Sequence, residues 1–205
     1  MNFFYLPGAI GGAFISDWIG PKNALVIFVF LQGLVGFIMA GCYGLLDTSA
    51  HVAGFVVVYG IFLSLGEAGP GDNIGLIASK TSATSIRGQY YAIAAATGKI
   101  GAFVGTYVFP IIQANAPGGT DSVRGGQDPF FVSSALCIFS AFIAFFFLPQ
   151  IRQDTITSED IKFRAYLEEH GWDTRQMGSK EFQMNSTSTI DTMMGQEPMQ
   201  INEKV

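Results

Sequence analysis

The stretch from Leu65 to Gly105 reads LGEAGPGDNIGLIASKTSATSIRGQYYAIAAATGKIGAFVG. Two carboxylates, Glu67 and Asp72, follow a nearly uncharged run that begins at Val52, and a lone lysine, Lys99, lies in an alanine- and glycine-rich run just beyond. An unpaired charge is costly to bury away from water. The stretch therefore predicts helices of a membrane bundle whose few ionisable groups face a protein interior and carry a function.

The composition separates an apolar region from an acidic tail. The 205 residues are 49% hydrophobic and only 13% charged, whereas soluble domains have about 25% charged residues. Residues 1–149 hold five Lys or Arg and six Asp or Glu, a net charge of −1, and residues 150–205 hold six and ten, a net charge of −4. We therefore predict a membrane domain at 1–149 and a polar tail at 150–205.

The apolar windows predict the membrane spans. A spanning helix needs about 20 mostly apolar residues, and four windows reach this length. A shorter apolar piece at the start is interpreted as the second half of a helix whose beginning is missing. The predicted spans are residues 2–16 (partial), 23–46, 52–79, 90–114 and 130–148. The predicted fold is all-α, a polytopic helical membrane protein with four full spans and part of a fifth.

Lysine and arginine are concentrated on one side of the predicted bundle. Lys22, Lys80 and Arg87 lie in connections on that side, and more basic residues follow the last span. The connections on the other side hold three aspartates and one arginine: Asp47, Asp121, Asp128 and Arg124. Because an excess of Lys and Arg marks the cytoplasmic side, we predict a cytoplasmic C-terminal tail and an external loop at 115–129.

The depth of Glu67 and Lys99 suggests two interpretations. Both lie near the middle of consecutive antiparallel spans, so they fall at similar depth. In one interpretation Lys99 holds a negative group of a substrate while a carboxylate carries a coupling proton. In the other, Glu67 and Lys99 form a structural ion pair. The first is favoured because ionisable residues inside a membrane are functional by default.

The residues after Glu67 predict an interrupted helix. Gly69, Pro70 and Gly71 combine a missing donor with backbone freedom, so Asp72 or Asn73 is expected at the N-cap of a restarted helix. Broken helices of this kind point their N-terminal ends toward anionic substrates in transporters. Asp72 is therefore a candidate proton carrier, with capping alone as the alternative, and Asn73 is a candidate substrate ligand.

The next span carries small residues at spacings of three and four: Ala94, Gly98, Gly101, Ala102 and Gly105. Such a stripe lets another helix approach closely. Lys99 is one residue away from the stripe, which turns it about 100° from Gly98. It can therefore face a cavity beside the helix contact.

These residues resemble a known family. Gly66–Gly105 closely resembles the corresponding part of fungal glycerophosphoinositol permeases, in the phosphate:proton symporter branch of the major facilitator superfamily. The shared outline is GP in one helix, an R-G pair in the loop and G-K-x-G-A in the next helix. The segment AFISDWIGPK at 13–22 also resembles the superfamily's loop signature through Asp17, Gly20 and Lys22. Ala13 stands where glycine is usual, and Trp18 and Pro21 stand where basic residues are common.

The resemblance implies the end of the eighth helix through the twelfth helix of a twelve-span carrier, with the missing N-terminal half as its partner. It implies that Lys99 contacts the substrate phosphate, whereas the proton-exchange role of Glu67 or Asp72 is expected from the position of these carboxylates inside a span. Glu67 stands where phosphate symporters often have a neutral residue, which favours a phosphodiester substrate.

For the loop signature, the resemblance implies a gating motif formed by Asp17, Gly20 and Lys22. A helix cap is the alternative role for Asp17.

We therefore expect a proton-coupled symporter of glycerophosphodiesters such as glycerophosphoinositol, unable to transport as this chain alone. The alternatives are an inorganic phosphate:proton symporter and a non-transporting membrane subunit or regulator. The expected partners are a small anionic phosphodiester or phosphate, protons and the lipid bilayer, with no cofactor, metal ion or nucleic acid. We expect a multi-pass protein of the plasma membrane that is not an enzyme.

The polar tail has one predicted helix, across residues 159–170. Thr157 or Ser158 is the expected cap, and Gly171 the expected end. The stretch Gln183–Val205 is predicted to be disordered. It contains the glycosylation sequon Asn185-Ser186-Thr187, for which a cytoplasmic tail predicts no glycosylation.

Overall fold

A computed structural model of the chain describes residues 2–46, 51–151 and 155–174. The chain divides into two units, with the boundary after Ile156. The helices of the first unit are α1 (Tyr5–Ile19), α2 (Pro21–Gly41), α3 (Tyr43–Leu46), α4 (Val52–Gly66), a π-helical segment (Glu67–Gly71), α5 (Asp72–Lys80), α6 (Arg87–Asn115) and α7 (Val123–Phe147). A short 3₁₀ turn, Asn2–Phe4, precedes α1.

Among the described residues, four helices are long and apolar enough to cross a membrane: Pro21–Gly41, Val52–Lys80, Arg87–Asn115 and Val123–Phe147. The described residues form helices and no strand, so the predicted all-α fold is confirmed. Two helix boundaries differ most from the predicted ones. The window predicted at 23–46 ends as a helix at Gly41, and α3 follows as a separate turn after Cys42 leaves helical geometry at φ −92° and ψ 4°.

The second difference concerns the start of α7, which precedes the predicted window by seven residues. Ser122 caps this helix, since its Oγ accepts a hydrogen bond from the Gly125 N–H at 3.0 Å. Such a cap satisfies one of the N–H groups that a helix start leaves without a partner. The predicted external loop at 115–129 is therefore wrong in extent, and the residues between α6 and α7 are 116–122.

The contact between α1 and the helix after α3 depends on small residues. The buried residues of α1 are Gly8, Gly12 and Ser16, one turn apart on a single face. A Cβ on Gly8 would lie 2.8 Å from the Cα of Ser64, and one on Gly12 would lie 2.5 Å from the Cα of Ala68. Real Cβ atoms do not approach this closely, so glycine is required for the observed backbone separation.

The contact between α2 and α7 also depends on small residues. Gly33 and Gly36 of α2 face Ser134 and Ile138 of α7, and a Cβ on Gly33 would lie 2.8 Å from Ile138 Cδ1. Ser134 is fully buried, and its hydroxyl donates to the Phe130 carbonyl at 2.6 Å. A serine at this interface therefore adds no unpaired donor to the bundle.

Helix α6 lies at one edge of the described bundle. It packs against α5 and α7, and none of its residues is buried. Large apolar side chains cover its outer surface, including Phe103 at 74% and Tyr107 at 70% exposed. Apolar surface of this extent marks a lipid- or protein-covered face.

The second unit contains most of α8 (Thr155–Glu169). The helix is followed by Gly171 at φ +81°, the left-handed geometry that glycine adopts at helix ends. Thr157 and Ser158 lie inside the helix, so the predicted cap is wrong and the predicted start at residue 159 is too late. The stretch 183–205 and its sequon lie outside the described residues.

Replacing Gly12 by Ala should destabilise the bundle, because the new Cβ would meet Ala68 Cα at 2.5 Å. Overpacking of this kind costs about 1–3 kcal/mol, so the apparent melting temperature of the detergent-solubilised chain should fall. The matched control is Gly11→Ala on the same helix, where nothing lies within 4 Å of an added Cβ. Equal melting temperatures for the two variants would contradict the close contact.

Candidate functional site

The helix from Val52 to Lys80 continues through the Gly-Pro-Gly sequence. Residues Glu67–Gly71 form one π-helical segment, and Asp72 keeps helical angles at φ −78° and ψ −38°. The N–H of Asp72 already donates to the carbonyls of Glu67 and Gly69. Because no free helix start exists here, the predicted N-cap role of Asp72 or Asn73 is wrong. The wider π turn accommodates the proline without ending the helix.

The Asn73 side chain forms hydrogen bonds with the backbone just before Pro70. Its side-chain amide donates to the Ala68 carbonyl at 3.0 Å and to the Gly69 carbonyl at 2.9 Å. The side chain is fully buried, and its Oδ1 has no hydrogen-bond partner among the described residues. Oδ1 can accept a hydrogen bond but cannot donate one. Asn73 therefore suits a hydroxyl or a water molecule better than a phosphate oxygen.

Asp72 points at the small-residue face of α1. A Cβ on Gly12 would lie 2.5 Å from Asp72 Oδ2. This oxygen is buried and has no hydrogen-bond partner among the described residues, and the same holds for Ser16 Oγ, one turn along α1 from Gly12. A carboxylate oxygen left without a donor in a helix contact is energetically unfavourable. Burial of Asp72 Oδ2 in the α1 contact therefore has an unfavourable free energy.

Glu67 lies one π turn before Asp72 and is partly exposed. Its carboxylate folds over Gly71, where an added Cβ would lie 2.9 Å from Oε2 and 3.0 Å from Oε1. Asp72 is also partly exposed as a residue, but its Oδ2 is buried. The structure therefore brings the two predicted proton-coupling residues together on one helix and buries Asp72 Oδ2 against α1.

Lys99 is exposed on α6. In the part of the chain that the structure describes, Lys99 and Glu67 form no ion pair with each other, so the structural ion-pair interpretation is not supported. The small-residue stripe beside it is open, since nothing lies within 4 Å of a Cβ placed on Gly98 or Gly101. The helix that the stripe was predicted to receive is not among the described residues.

The loop-signature residues surround the turn between α1 and α2. Asp17 lies inside α1 and is exposed, so the alternative role of a helix cap is wrong. Gly20 forms the turn at φ +87°, and its N–H donates to the Ser16 carbonyl at 3.0 Å. Lys22 follows in the first turn of α2 and lies 5.8 Å from the centre of the Phe145 ring. Of the three residues of the loop signature, Gly20 alone has a positive φ, which accounts for glycine at this position.

The cavities inside the described bundle are mainly apolar. One of about 290 Å³ lies between α2, α5 and α7 and touches Pro70, and another of about 550 Å³ lies between α5, α6 and α7. Neither is lined by Lys99, Glu67 or Asp72. These cavities offer no cation to an anionic ligand.

Gly12 and Ser16 belong to the site but were not predicted from the sequence. A signal was present, because Gly8, Gly12 and Ser16 repeat at four-residue spacing, and so do Ser64, Ala68 and Asp72. Two such small-residue faces can pack closely against each other. Their pairing brings the Asp72 carboxylate into the α1 contact.

Comparison with known proteins identifies a family and several relatives. The profile of the family described as "Sugar (and other) transporter" matches residues 1–163. A glycerophosphocholine permease of Candida albicans is 58% identical over 177 residues, 86% of this chain and 32% of the permease. A major glycerophosphoinositol permease of the same organism is 55% identical over 177 residues, covering 86% and 33% of the two chains.

A more distant relative is a glycerophosphoinositol transporter of Saccharomyces cerevisiae. It is 34% identical over 171 residues, which are 83% of this chain and 31% of the transporter. The chain thus spans about a third of the length of the curated relatives it matches. No solved structure matches the chain.

Replacing Asn73 by Ala should destabilise the bundle, because the buried carbonyls of Ala68 and Gly69 would each lose the hydrogen bond from the amide, although Gly69 keeps the bond from the Asp72 N–H. A hydrogen bond contributes about 0.5–1.5 kcal/mol to stability, so the melting temperature should fall. The matched control is Asn115→Ala, which removes a similar bond to the Ile111 carbonyl from an exposed position. A control that is as destabilised as Asn73→Ala would show that burial of these carbonyls is unimportant.

Proposed function

The chain belongs to the sugar (and other) transporter family of the major facilitator superfamily, and on this basis we propose that it forms part of a carrier for glycerophosphodiesters. The observation that carries the proposal is its identity of more than half with two permeases named for glycerophosphocholine and glycerophosphoinositol. Both compounds contain an anionic phosphodiester group and hydroxyl groups. The names of these two permeases favour glycerophosphodiesters over inorganic phosphate as the substrate class.

Lys99 is the proposed contact for the substrate phosphate. It lies within the candidate span α6 and is exposed there. A cation at this depth is costly without a counter-charge, and an arriving phosphodiester supplies one. The open stripe at Gly98 and Gly101 supports placing this side of α6 against the remainder of the carrier. Lys99 would then lie beside the substrate path between this chain and the remainder of the carrier.

The Glu67–Asp72 pair is the proposed site of proton exchange. Two nearby carboxylates repel each other when both are charged, and one proton on the pair removes that repulsion. Glu67 is partly exposed and can exchange with water, whereas Asp72 Oδ2 is held against Gly12. Protonation would therefore change the charge at the contact between α1 and α5, which can couple proton entry to a helix movement.

The full transport cycle is proposed to be alternating access around a site near the membrane midplane. The turn at Gly20, between Asp17 and Lys22, is the proposed gate on the side where α2 begins. The protein is proposed to lie in the plasma membrane with its C-terminal tail in the cytoplasm, following the distribution of Lys and Arg.

Replacing Lys99 by Ala should lower uptake about tenfold or more, the loss expected for a contact to a charged group. The assay is uptake of labelled glycerophosphoinositol by a chimera in which this chain replaces the matching third of the Candida albicans glycerophosphocholine permease. Lys99→Arg should retain part of the activity, and Lys80→Ala is the control. Normal uptake by Lys99→Ala at equal surface expression would overturn the assignment of the site.

The same chimera tests the substrate and the need for the missing part. Excess unlabelled glycerophosphodiester should compete with uptake more strongly than inorganic phosphate does. Stronger competition by phosphate would support the inorganic phosphate symporter instead. The 205-residue chain expressed alone should give no uptake.

Replacing Glu67 by Gln or Asp72 by Asn should abolish the stimulation of uptake by an inward proton gradient. Substrate counterflow without a gradient should persist, because neutral side chains do not prevent substrate binding. The two measurements separate coupling from binding in the chimera. If both variants keep the full response to the gradient, the proton is carried elsewhere in the protein.

A further inference from the structure

An apolar groove runs along the outside of the bundle between α2 and α7. It has a volume of about 230 Å³ and is lined by Val26, Phe30, Ala141, Phe142, Phe145 and Phe146. Several of these rings are open, with Phe142 54% and Phe146 72% exposed. Every lining side chain is a hydrocarbon, so the groove suits an acyl chain and offers nothing to a polar ligand.

A lysine stands at one end of this groove. Lys22, Val26 and Phe30 follow each other at four-residue steps, so they share one face of α2. The half-buried Lys22 places its Nζ 5.8 Å from the centre of the Phe145 ring, on the opposite wall. Lys22 forms no ion pair with the carboxylates of the described residues. The ring holds the ammonium group at the groove without neutralising its charge.

We propose that Lys22 and this groove bind a phospholipid with an anionic headgroup, in the leaflet that surrounds the start of α2. The headgroup lies at Lys22, and one acyl chain follows Val26 and Phe30 along the groove. A cation that opens onto a hydrocarbon groove matches a molecule with an anionic head and an apolar tail. A soluble anion would leave the phenylalanines uncovered, and a zwitterionic headgroup has no net negative charge to complement Lys22. This site shares Lys22 with the proposed gate at Gly20, but its test measures lipid binding and does not depend on transport.

Native mass spectrometry of the 205-residue chain, with equimolar phosphatidylserine and phosphatidylcholine in the micelles, tests the proposal. Phosphatidylserine should be bound in preference, and Lys22→Gln should lower this preference about fivefold, the factor for one lysine at a membrane surface. The matched control is Lys80→Gln, which removes a lysine from another helix end on the same predicted side and should keep the preference. Val26→Trp, which fills the groove, should lower binding of both lipids.

Three results would overturn the proposal. The first is equal loss of preference in Lys22→Gln and Lys80→Gln, which would assign the effect to net charge. The second is unchanged binding in Val26→Trp, which would exclude the groove. The third is displacement of phosphatidylserine by millimolar inorganic phosphate, which would assign Lys22 to a soluble anion.

Discussion

Backbone polar groups inside a membrane must find their partners within the protein, and the sequence around Pro70 makes this difficult. Proline donates no hydrogen bond, so a break in the helix is the ordinary outcome. Here a π turn absorbs the proline, and the Asn73 amide donates to the carbonyls of Ala68 and Gly69. The continuous helix that results fixes the position of every residue after Pro70, including Asp72.

The continuous helix places the Asp72 carboxylate against α1, at a point where small residues bring the two helix backbones close together. Gly8 and Gly12 let α1 approach the backbone at Ser64 and Ala68. In the same contact Asp72 Oδ2 is buried and receives no hydrogen bond from the residues that the structure describes. A change of charge at Asp72 would act directly on the separation of α1 and α5, which makes this contact a natural element for coupling.

The edge of the bundle carries Lys99, the proposed contact for the substrate phosphate. Helix α6 has no buried residue, and it presents both the exposed Lys99 and an open stripe of small residues. A second surface, the groove between α2 and α7, is apolar apart from Lys22 at its end. The two surfaces differ in what can cover them. The first suits further protein and a polar pathway, whereas the second suits lipid.

Composition and hydrophobic length alone predicted an all-α protein with four long apolar helices, because a bilayer imposes length and polarity on any helix that crosses it, but they did not give the ends of these helices. The resemblance of Gly66–Gly105 pointed to the transporter family, in agreement with the comparisons. Only the tertiary structure decided that Asp72 lies inside a continuous helix against Gly12, and that Lys99 and Glu67 form no ion pair with each other in the described part of the chain. Local signals at Gly69-Pro70-Gly71 favour a break, but in the folded chain a π turn accommodates the proline and α1 packs against this segment.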